Sequence, residues 1–338
     1  MRALVTGATG FVGSYLVRAL IRRGDSVRIL ARSTSKAAAL RDSGVEVWVG
    51  DLAEQKSLEG IAEGMDAVFH LGSAMRGSAD LFDRVDFQST ERLLAESERA
   101  GVRRFVYAST LSGYPLAQKG DDSVIDEQCP FDDTGLLGNY ARTKARCEEA
   151  VLAANARGKV EGVVVRLGLV CGIGANIFPA HVCKVISPKW AILFGDGRIP
   201  LPLTFVENAV DALILGATEP GIGGESFNIV DDDVLTQLDY LDLVRQFTGT
   251  TPRVLRLPRL AYYAIGVLTE LASAVRHTEP ETNRYRIRTR LTRVRWDCSK
   301  AKRLLHWTPQ VRLRVGLSDT FGAYVKQMAG KPEPTKPA

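Results

Sequence analysis

At 338 residues, 45% hydrophobic and 25% charged, the chain can bury one extensive core or two intimate ones, and fibrous or disordered classes do not fit. Its net charge of +5 is too small to argue for a nucleic-acid partner. The five cysteines at 129, 147, 171, 183 and 298 are odd in number and include no Cys-x-x-Cys pair, which fits reduced, mostly buried thiols and offers no metal-site spacing.

Met1 sits almost on the first apolar run, leaving no room for a signal peptide. The most apolar helical stretch, 257–275, contains Arg259 and Glu270 with ten residues between them, too few to span a bilayer. The expectation is a cytoplasmic protein with no integral membrane segment.

The first apolar run, Ala3-Leu4-Val5, leads directly into Thr6-Gly7-Ala8-Thr9-Gly10-Phe11-Val12-Gly13. This reads as a strand, a tight turn and a helix start. Gly7 can take positive φ, Gly10 lets the backbone approach a ligand, and Gly13 lets helix and strand pack closely. Backbone N–H groups at such a helix N-terminus can hold a pyrophosphate. An amphipathic helix follows (Leu16, Val17, Leu20, Ile21), then Gly24 and a second strand.

Strands are predicted at 3–5, 27–31, 45–49, 67–71, 105–108 and 160–166. Helices are predicted between them at 12–22, 36–42, 55–62, 80–100 and 138–156. Near-continuously apolar strands alternating with helices predict a doubly wound parallel sheet covered on both faces, with ligands beyond the strand C-termini. After Leu167 the rhythm changes. The stretch 172–202 is rich in Gly and Pro, 206–216 reads as a helix, and a strand at 226–230 is expected to return to the sheet. The predicted division is therefore a dinucleotide-binding domain over 1–170, rejoined by 203–231, and a smaller, mostly helical substrate lobe over 171–202 and 232–328. The tail 329–338 reads as disordered.

Tyr140 and Lys144 lie four apart at the start of the helix 138–156, hence on one face. A phenol is a poor base at neutral pH; a neighbouring ammonium stabilises the phenolate and brings it towards the working range. Alone, such a pair is usually a solvated helix face. Here it follows a glycine phosphate turn and the hydroxyls of Ser109 and Thr110 at a strand end, where one could hold a substrate oxygen while Tyr140 moves its proton.

Together these residues resemble the extended short-chain dehydrogenase/reductases, the NAD(P)-dependent epimerase/dehydratase group, and most of all members like 3β-hydroxysteroid dehydrogenase and dihydroflavonol reductase. The resemblance covers almost the whole chain. It rests on TGATGFVG at 6–13, GDL at 50–52, FHLGS at 69–73, VYASTLSGY at 106–114, YARTK at 140–144, RLGLVCGIG at 166–174, FGDG at 194–197, FVENAVDA at 205–212 and DCSKAKRLLHWTPQV at 297–311. It implies a Rossmann fold and a site in which Tyr140 is the acid/base, Lys144 its activator and ribose ligand, and Thr110 the hydroxyl that orients the substrate. Thr110 is preferred to Ser109 because it stands four before Tyr114. The cofactor would be held by Gly7, Thr9, Gly10, Phe11, Val12, Gly13, Asp51, Leu52, Leu71, Gly72, Ser73, Leu167 and Val170 besides Tyr140 and Lys144. Without the family, Asp51 is equally a solvated turn acid. No metal is implied, and His181 and His306 read as structural.

Two departures stand out. Asp86 replaces the usual Asn of the fourth helix and, when ionised, cannot donate as an amide does. Leu167-Gly-Leu-Val170 replaces the common Pro-x-Asn-Val, which weakens a nucleotide-sugar reading. The second strand ends in Arg32-Ser33-Thr34-Ser35-Lys36 with no acid. A basic residue there accepts a 2′-phosphate, so NADP(H) is favoured over NAD(H), unless Arg32 is merely solvated.

The expected activity is NADP(H)-dependent interconversion of a secondary alcohol and a ketone on a small, fairly apolar substrate. The alternatives are a nucleotide-sugar epimerase or dehydratase with a retained NAD(P), and a nucleotide-sensing protein without chemistry; the Tyr/Lys pair argues against the last. Between 276 and 314 stand 12 Lys/Arg against three acids. Arg284, Arg286, Arg288 and Arg290, beside the apolar helix at 257–272, could rim a lipophilic mouth or rest on a membrane surface. The plainer reading makes them the solvated face of an edge strand with Tyr285, Ile287 and Leu291 inward. A homodimer through the helices at 80–100 and 138–156 is the family expectation.

Overall fold

A computed structural model describes all residues except 36–39, 41–43, 188, 250, 277–279, 281 and 330–338. In chain order the elements are β1 (Arg2–Thr6), α1 (Phe11–Arg22), β2 (Ser26–Ala31), β3 (Glu46–Val49), β4 (Ala67–His70), α2 (Ala79–Phe82), a π turn (Asp83–Phe87), α3 (Gln88–Arg99), β5 (Arg104–Thr110), β6 (Ser123–Ile125), α4 (Asn139–Ala156), β7 (Glu161–Leu167) and β8 (Leu169–Cys171). Then follow β9 (Lys184–Ser187), β10 (Trp190–Phe194), β11 (Pro200–Leu201), β12 (Leu203–Phe205), α5 (Val206–Thr218), β13 (Ser226–Ile229), β14 (Leu235–Thr236), α6 (Gln237–Thr248), β15 (Arg253–Leu257), α7 (Arg259–Arg276), α8 (Arg284–Leu291), β16 (Val294–Trp296), α9 (Ser299–Leu304) and α10 (Leu313–Ala329).

Seven parallel strands form the main sheet in the order β13-β7-β5-β4-β1-β2-β3. The order reverses beside β1, the point where doubly wound sheets open a crevice for ligands. Strand alternation sorts the side chains between two layers. Val5, Phe69, Val106, Val163 and Val165 meet Leu16 and Leu20 of α1 and Val210 and Leu213 of α5. Leu4, Val68, Phe105 and Val164 meet Leu93 of α3 and Cys147 and Val151 of α4 on the other face. Because both faces are covered, the inner strands are mostly apolar on both sides, and the few polar side chains they carry are buried.

A smaller core lies under the C-terminal part, where β10 and α6 pack on α10 through Leu193, Tyr240, Val244, Leu317 and Phe321. The Tyr240 and Phe321 rings meet edge to face at 5.6 Å. Asn208 of α5 ties this part to the sheet. Its Nδ2 donates to Asp231 and to the Val311 carbonyl, and its Oδ1 accepts from the Gln310 and Val311 amides.

Several local expectations change. The predicted helix at 55–62 is only a 3-10 turn, Gln55–Leu58. The Ser57 hydroxyl bonds the Asp51 and Glu54 carbonyls, and Gly60 and Gly64 take φ of +76° and +73°, so side-chain bonds and glycines divert the backbone. The helix predicted at 80–100 is interrupted by the π turn at Asp83–Phe87. The Gly/Pro-rich stretch after 172 holds β9 and β10, which with β15 form a three-stranded sheet. The segment 284–291 is helix α8, not an edge strand. The predicted helix at 36–42 and the tail beyond Ala329 fall mainly outside the described residues.

One buried network fixes α4 on the sheet. Arg166 of β7, 8% exposed, makes a bidentate pair with Glu148 of α4 at 2.7–3.2 Å and donates to the Tyr114 hydroxyl at 2.8 Å. Burial works against the Arg166 charge, but Glu148 and Tyr114 outweigh it and hold its pKa above the usual value. Removing Arg166 would strand the buried Glu148 carboxylate, at a cost of about 3–5 kcal/mol. Arg166→Leu is therefore expected to lower unfolding stability in urea by that amount, and Arg166→Leu/Glu148→Leu to recover part of it.

Candidate active site

The turn after β1 is set by backbone contact. Gly7 has φ +71°, and a Cβ on it would stand 2.7 Å from the Gly72 nitrogen and the Leu71 carbonyl carbon. A Cβ on Gly13 would stand 2.1 Å from the Gly7 oxygen. The turns after β1 and β4 thus pack backbone on backbone, and α1 begins hard against them. No side chain caps α1, and its first turn carries no acid. The N–H groups of Phe11, Val12 and Gly13 have no carbonyl within the helix to meet, and Thr9 and Gly10 are exposed beside them. This is the donor set a pyrophosphate requires.

Because the sheet is parallel, the other candidate residues gather at the same edge. Arg32 follows β2, Asp51 and Leu52 follow β3, Leu71 to Ser73 follow β4, Thr110 ends β5 and Leu167 ends β7. Leu52 covers Gly72, its Cδ1 being 2.4 Å from where a Cβ would sit. The Asp51 carboxylate accepts from the Ala53 amide at 3.0 Å. Thr110 and Leu167 are opposite each other in the β5–β7 register. Val170 stands apart from the main sheet, in β8, paired with Thr204 of β12. Arg32 is exposed, and no acidic side chain among the described residues forms an ion pair with it.

Beneath these turns runs a buried chain of hydrogen bonds through His70. Thr6 Oγ1 lies 2.6 Å from Nδ1 and Thr90 Oγ1 lies 3.1 Å from Nε2. Thr90 donates to the Asp86 carbonyl at 2.6 Å, so it accepts from Nε2–H, and Nδ1 accepts from the Thr6 hydroxyl. Thr6 in turn accepts from the Gly72 amide at 3.2 Å. Burial, then the nearby Lys144 charge, pushes the His70 pKa down to about 3. A neutral ring thus joins β1, β4 and the helical segment at Asp86. Only the motif around His70 was legible in the sequence; the signal for its role was a polar residue in an apolar inner strand.

On α4, Lys144 is 4% exposed. Its ammonium donates to the Ala108 carbonyl of β5 at 3.0 Å, 4.7 Å from the Tyr107 ring centre and 6.0 Å from that of Tyr140. The half-buried Tyr140 meets Phe82 edge to face at 6.1 Å. Thr110, half-buried at the end of β5, accepts from the Ser112 amide at 3.1 Å, and its hydroxyl is 2.9 Å from that of Ser112. Ser109 faces the other way and its hydroxyl is buried with no partner.

Asp86 is 2% exposed, in the π turn. Its carboxyl accepts from the Ala74 amide at 2.9 Å. Burial raises its pKa, against the opposing pull of Lys144.

Residues 3–229 match the NAD dependent epimerase/dehydratase family. The chain belongs to that family. It is 32% identical over 277 residues to a 4-hydroxy-2-methyl-3-oxo-4-farnesyl-3,4-dihydroquinoline-1-oxide ketoreductase of Stigmatella aurantiaca, covering 80% of both chains. It is also 32% identical over 321 residues to sterol demethylase protein B of Methylococcus capsulatus, covering 91% of this chain and 94% of the other. In fold it resembles a UDP-glucuronic acid 4-epimerase from Bacillus cereus in complex with NAD, with a TM-score of 0.76 at 20% identity over 97% and 99% of the two chains. The protein is thus an NAD(P)-dependent enzyme of the extended short-chain type, and its glycine turn and open helix N-terminus suit a nicotinamide dinucleotide.

The Asp86 environment makes a directional prediction. A carboxyl whose folded pKa is raised stabilises the fold below its unfolded pKa and loses that contribution as pH rises through the folded one. Asp86→Asn keeps the acceptor for Ala74 and removes the titration. Its stability relative to the parent protein, followed by thermal unfolding at stepped pH, should therefore improve as pH rises from about 4 towards neutrality.

Proposed function

We propose that this protein interconverts a secondary alcohol and a ketone on a small, fairly apolar substrate, using NADP(H). The observation that carries the reading is the buried Lys144 ammonium, anchored to the Ala108 carbonyl on the same helix face as Tyr140. The bound nicotinamide supplies or takes the hydride. In the reducing direction Tyr140 gives its hydroxyl proton to the substrate oxygen, and in the oxidising direction it receives that proton. Lys144 stabilises the phenolate left behind and binds the ribose. Thr110 donates a hydrogen bond to the substrate oxygen and holds it in line.

The first-turn N–H groups of α1 hold the pyrophosphate, with Gly7, Thr9, Gly10 and Gly13 leaving room for it. Asp51 and Leu52 would flank the adenine, Leu71, Gly72 and Ser73 would lie near the ribose and nicotinamide, and Leu167 and Val170 would complete the cofactor site. Exposed and unpaired, Arg32 is free to take a 2′-phosphate.

The apolar substrate class is supported by two relatives, one named for a farnesyl-bearing ketone and one for sterol demethylation. An open groove of about 790 Å3 in the C-terminal part is lined by Leu136, Tyr263, Glu270, Asn283, Arg284 and Tyr285 among others, a mixed apolar and charged surface that does not include Tyr140.

Tyr140→Phe should lower kcat by about 10²–10⁴-fold while leaving cofactor affinity by fluorescence titration nearly unchanged; undiminished turnover would sink the mechanism. Arg32→Asp should shift the kcat/KM ratio for NADP(H) over NAD(H) by at least about tenfold towards NAD(H). An unaltered ratio removes Arg32 from cofactor choice. Conversion of nucleotide sugars without net cofactor turnover, followed by chromatography, would replace the reductase reading with an epimerase or dehydratase.

A further inference from the structure

Helix α7 is inside out. Of its 18 residues only Tyr262 and Gly266 are buried. Tyr262 stacks on Phe194 at 4.2 Å, and Gly266 leaves room for Ile287, whose Cδ1 lies 2.6 Å from where a Cβ would stand. The outer face carries Leu260 at 82% exposure, Leu268 at 65%, Leu271 at 61% and Val275 at 81%, with Val267 between them. On a helix of 3.6 residues per turn these side chains fall within an arc of about 100°. A contiguous apolar stripe of this kind in contact with water marks an interaction surface.

Among the described residues, the exposed charges flanking the stripe on β15 and α7 are arginines; Asp196, which lies near Arg259, is paired with Arg293. Arg253 and Arg256 on β15, Arg259 at the start of α7 and Arg276 at its end are exposed, and none forms an ion pair with a described residue. Glu270, the one acid in the helix, is taken up by the Arg284 backbone amide at 2.7 Å and its guanidinium at 2.9 Å. Trp190, opposite Arg253 in the β10–β15 register and 5.8 Å from its guanidinium, and Leu255 are also exposed.

We propose that α7 docks this protein on an anionic lipid bilayer, the helix lying in the interface with its leucines in the acyl boundary and the arginines against headgroup phosphates. No helix of the described residues is long and apolar enough to cross a membrane, which fits a helix lying in the interface. Charge complementarity favours a bilayer over a second copy of the chain. Antiparallel pairing of two α7 helices would bring Arg259 of one copy against Arg276 of the other, whereas an anionic surface attracts all four arginines. The segment 330–338, Gly-Lys-Pro-Glu-Pro-Thr-Lys-Pro-Ala, has no large apolar side chain to cover the stripe. Tyr263 and Glu270 of the same helix line the open groove that includes Leu136. Under the reading of an apolar substrate, docking would let that substrate enter from lipid; the docking itself does not depend on that reading.

The test is flotation of the full chain with phosphatidylcholine vesicles, with and without phosphatidylglycerol. The protein should float with the anionic vesicles, at least about tenfold less with phosphatidylcholine alone, and less as salt is raised. Leu268→Glu/Leu271→Glu should abolish flotation, and Arg256→Glu/Arg259→Glu should abolish the preference for anionic lipid. Both variants should keep the parent circular dichroism and cofactor affinity, since all four side chains are exposed. Absence of flotation with anionic vesicles, or full flotation of Leu268→Glu/Leu271→Glu, overturns the proposal. So does a dimer by sedimentation equilibrium that this variant converts to monomer, which would make the stripe a self-association surface.

Discussion

The arrangement turns on one ammonium withdrawn from water. Lys144 is 4% exposed and has a carbonyl, two aromatic faces and the buried Asp86 carboxyl for company. Burying a charge is tolerable only where fixed dipoles and an opposite charge replace the solvent. Here the replacement comes from β5, the π turn and α4 at once, so none of them can shift without exposing or stranding the cation. One turn further along α4, Glu148 meets Arg166 of β7 in a second buried pair. The helix is thereby pinned to two adjacent strands, and Tyr140 is held above the carboxyl edge of the sheet.

The same economy governs the nucleotide side of the edge. Gly7 and Gly13 are places where backbone meets backbone, and Gly72 one that the Leu52 side chain covers; a methyl group at any of them would overlap a neighbouring atom. His70 holds the two turns together from below, and it does so as a neutral ring because burial denies it a proton. Parallel strands bring their carboxyl ends to one side, which is why candidate residues from 7 to 167 lie along one edge of the sheet.

The C-terminal part follows a different logic. In Arg284–Leu291 arginines alternate with other residues, a period of two that reads as a solvated strand. The segment is a helix because Asn283 caps it, its side chain accepting from the Arg286 amide at 2.7 Å while its Nδ2 donates to the Leu136 carbonyl. Ile287 and Leu291, four apart, then share the buried face. Arg290 reaches the Tyr262 hydroxyl and Tyr285 reaches Asp132. Local periodicity was outvoted by a cap and by partners distant in sequence.

The sequence by itself determined the parallel sheet, the glycine turn and the Tyr/Lys pair, because these depend on short-range geometry. Apolar strands spaced by helices, small residues where backbones touch and a four-residue helical interval are all written within a few positions of one another. Only the tertiary structure decided what those residues face. The His70 relay joins residues 6, 70 and 90, the Lys144 site joins 86, 108 and 144, and the Asn208 staple joins 208, 231 and 311. Nor could hydropathy tell which side of α7 turns outward. The helix is apolar on most sides, and only the packing of Gly266 on Ile287 and Tyr262 on Phe194 selects the face that is left to solvent.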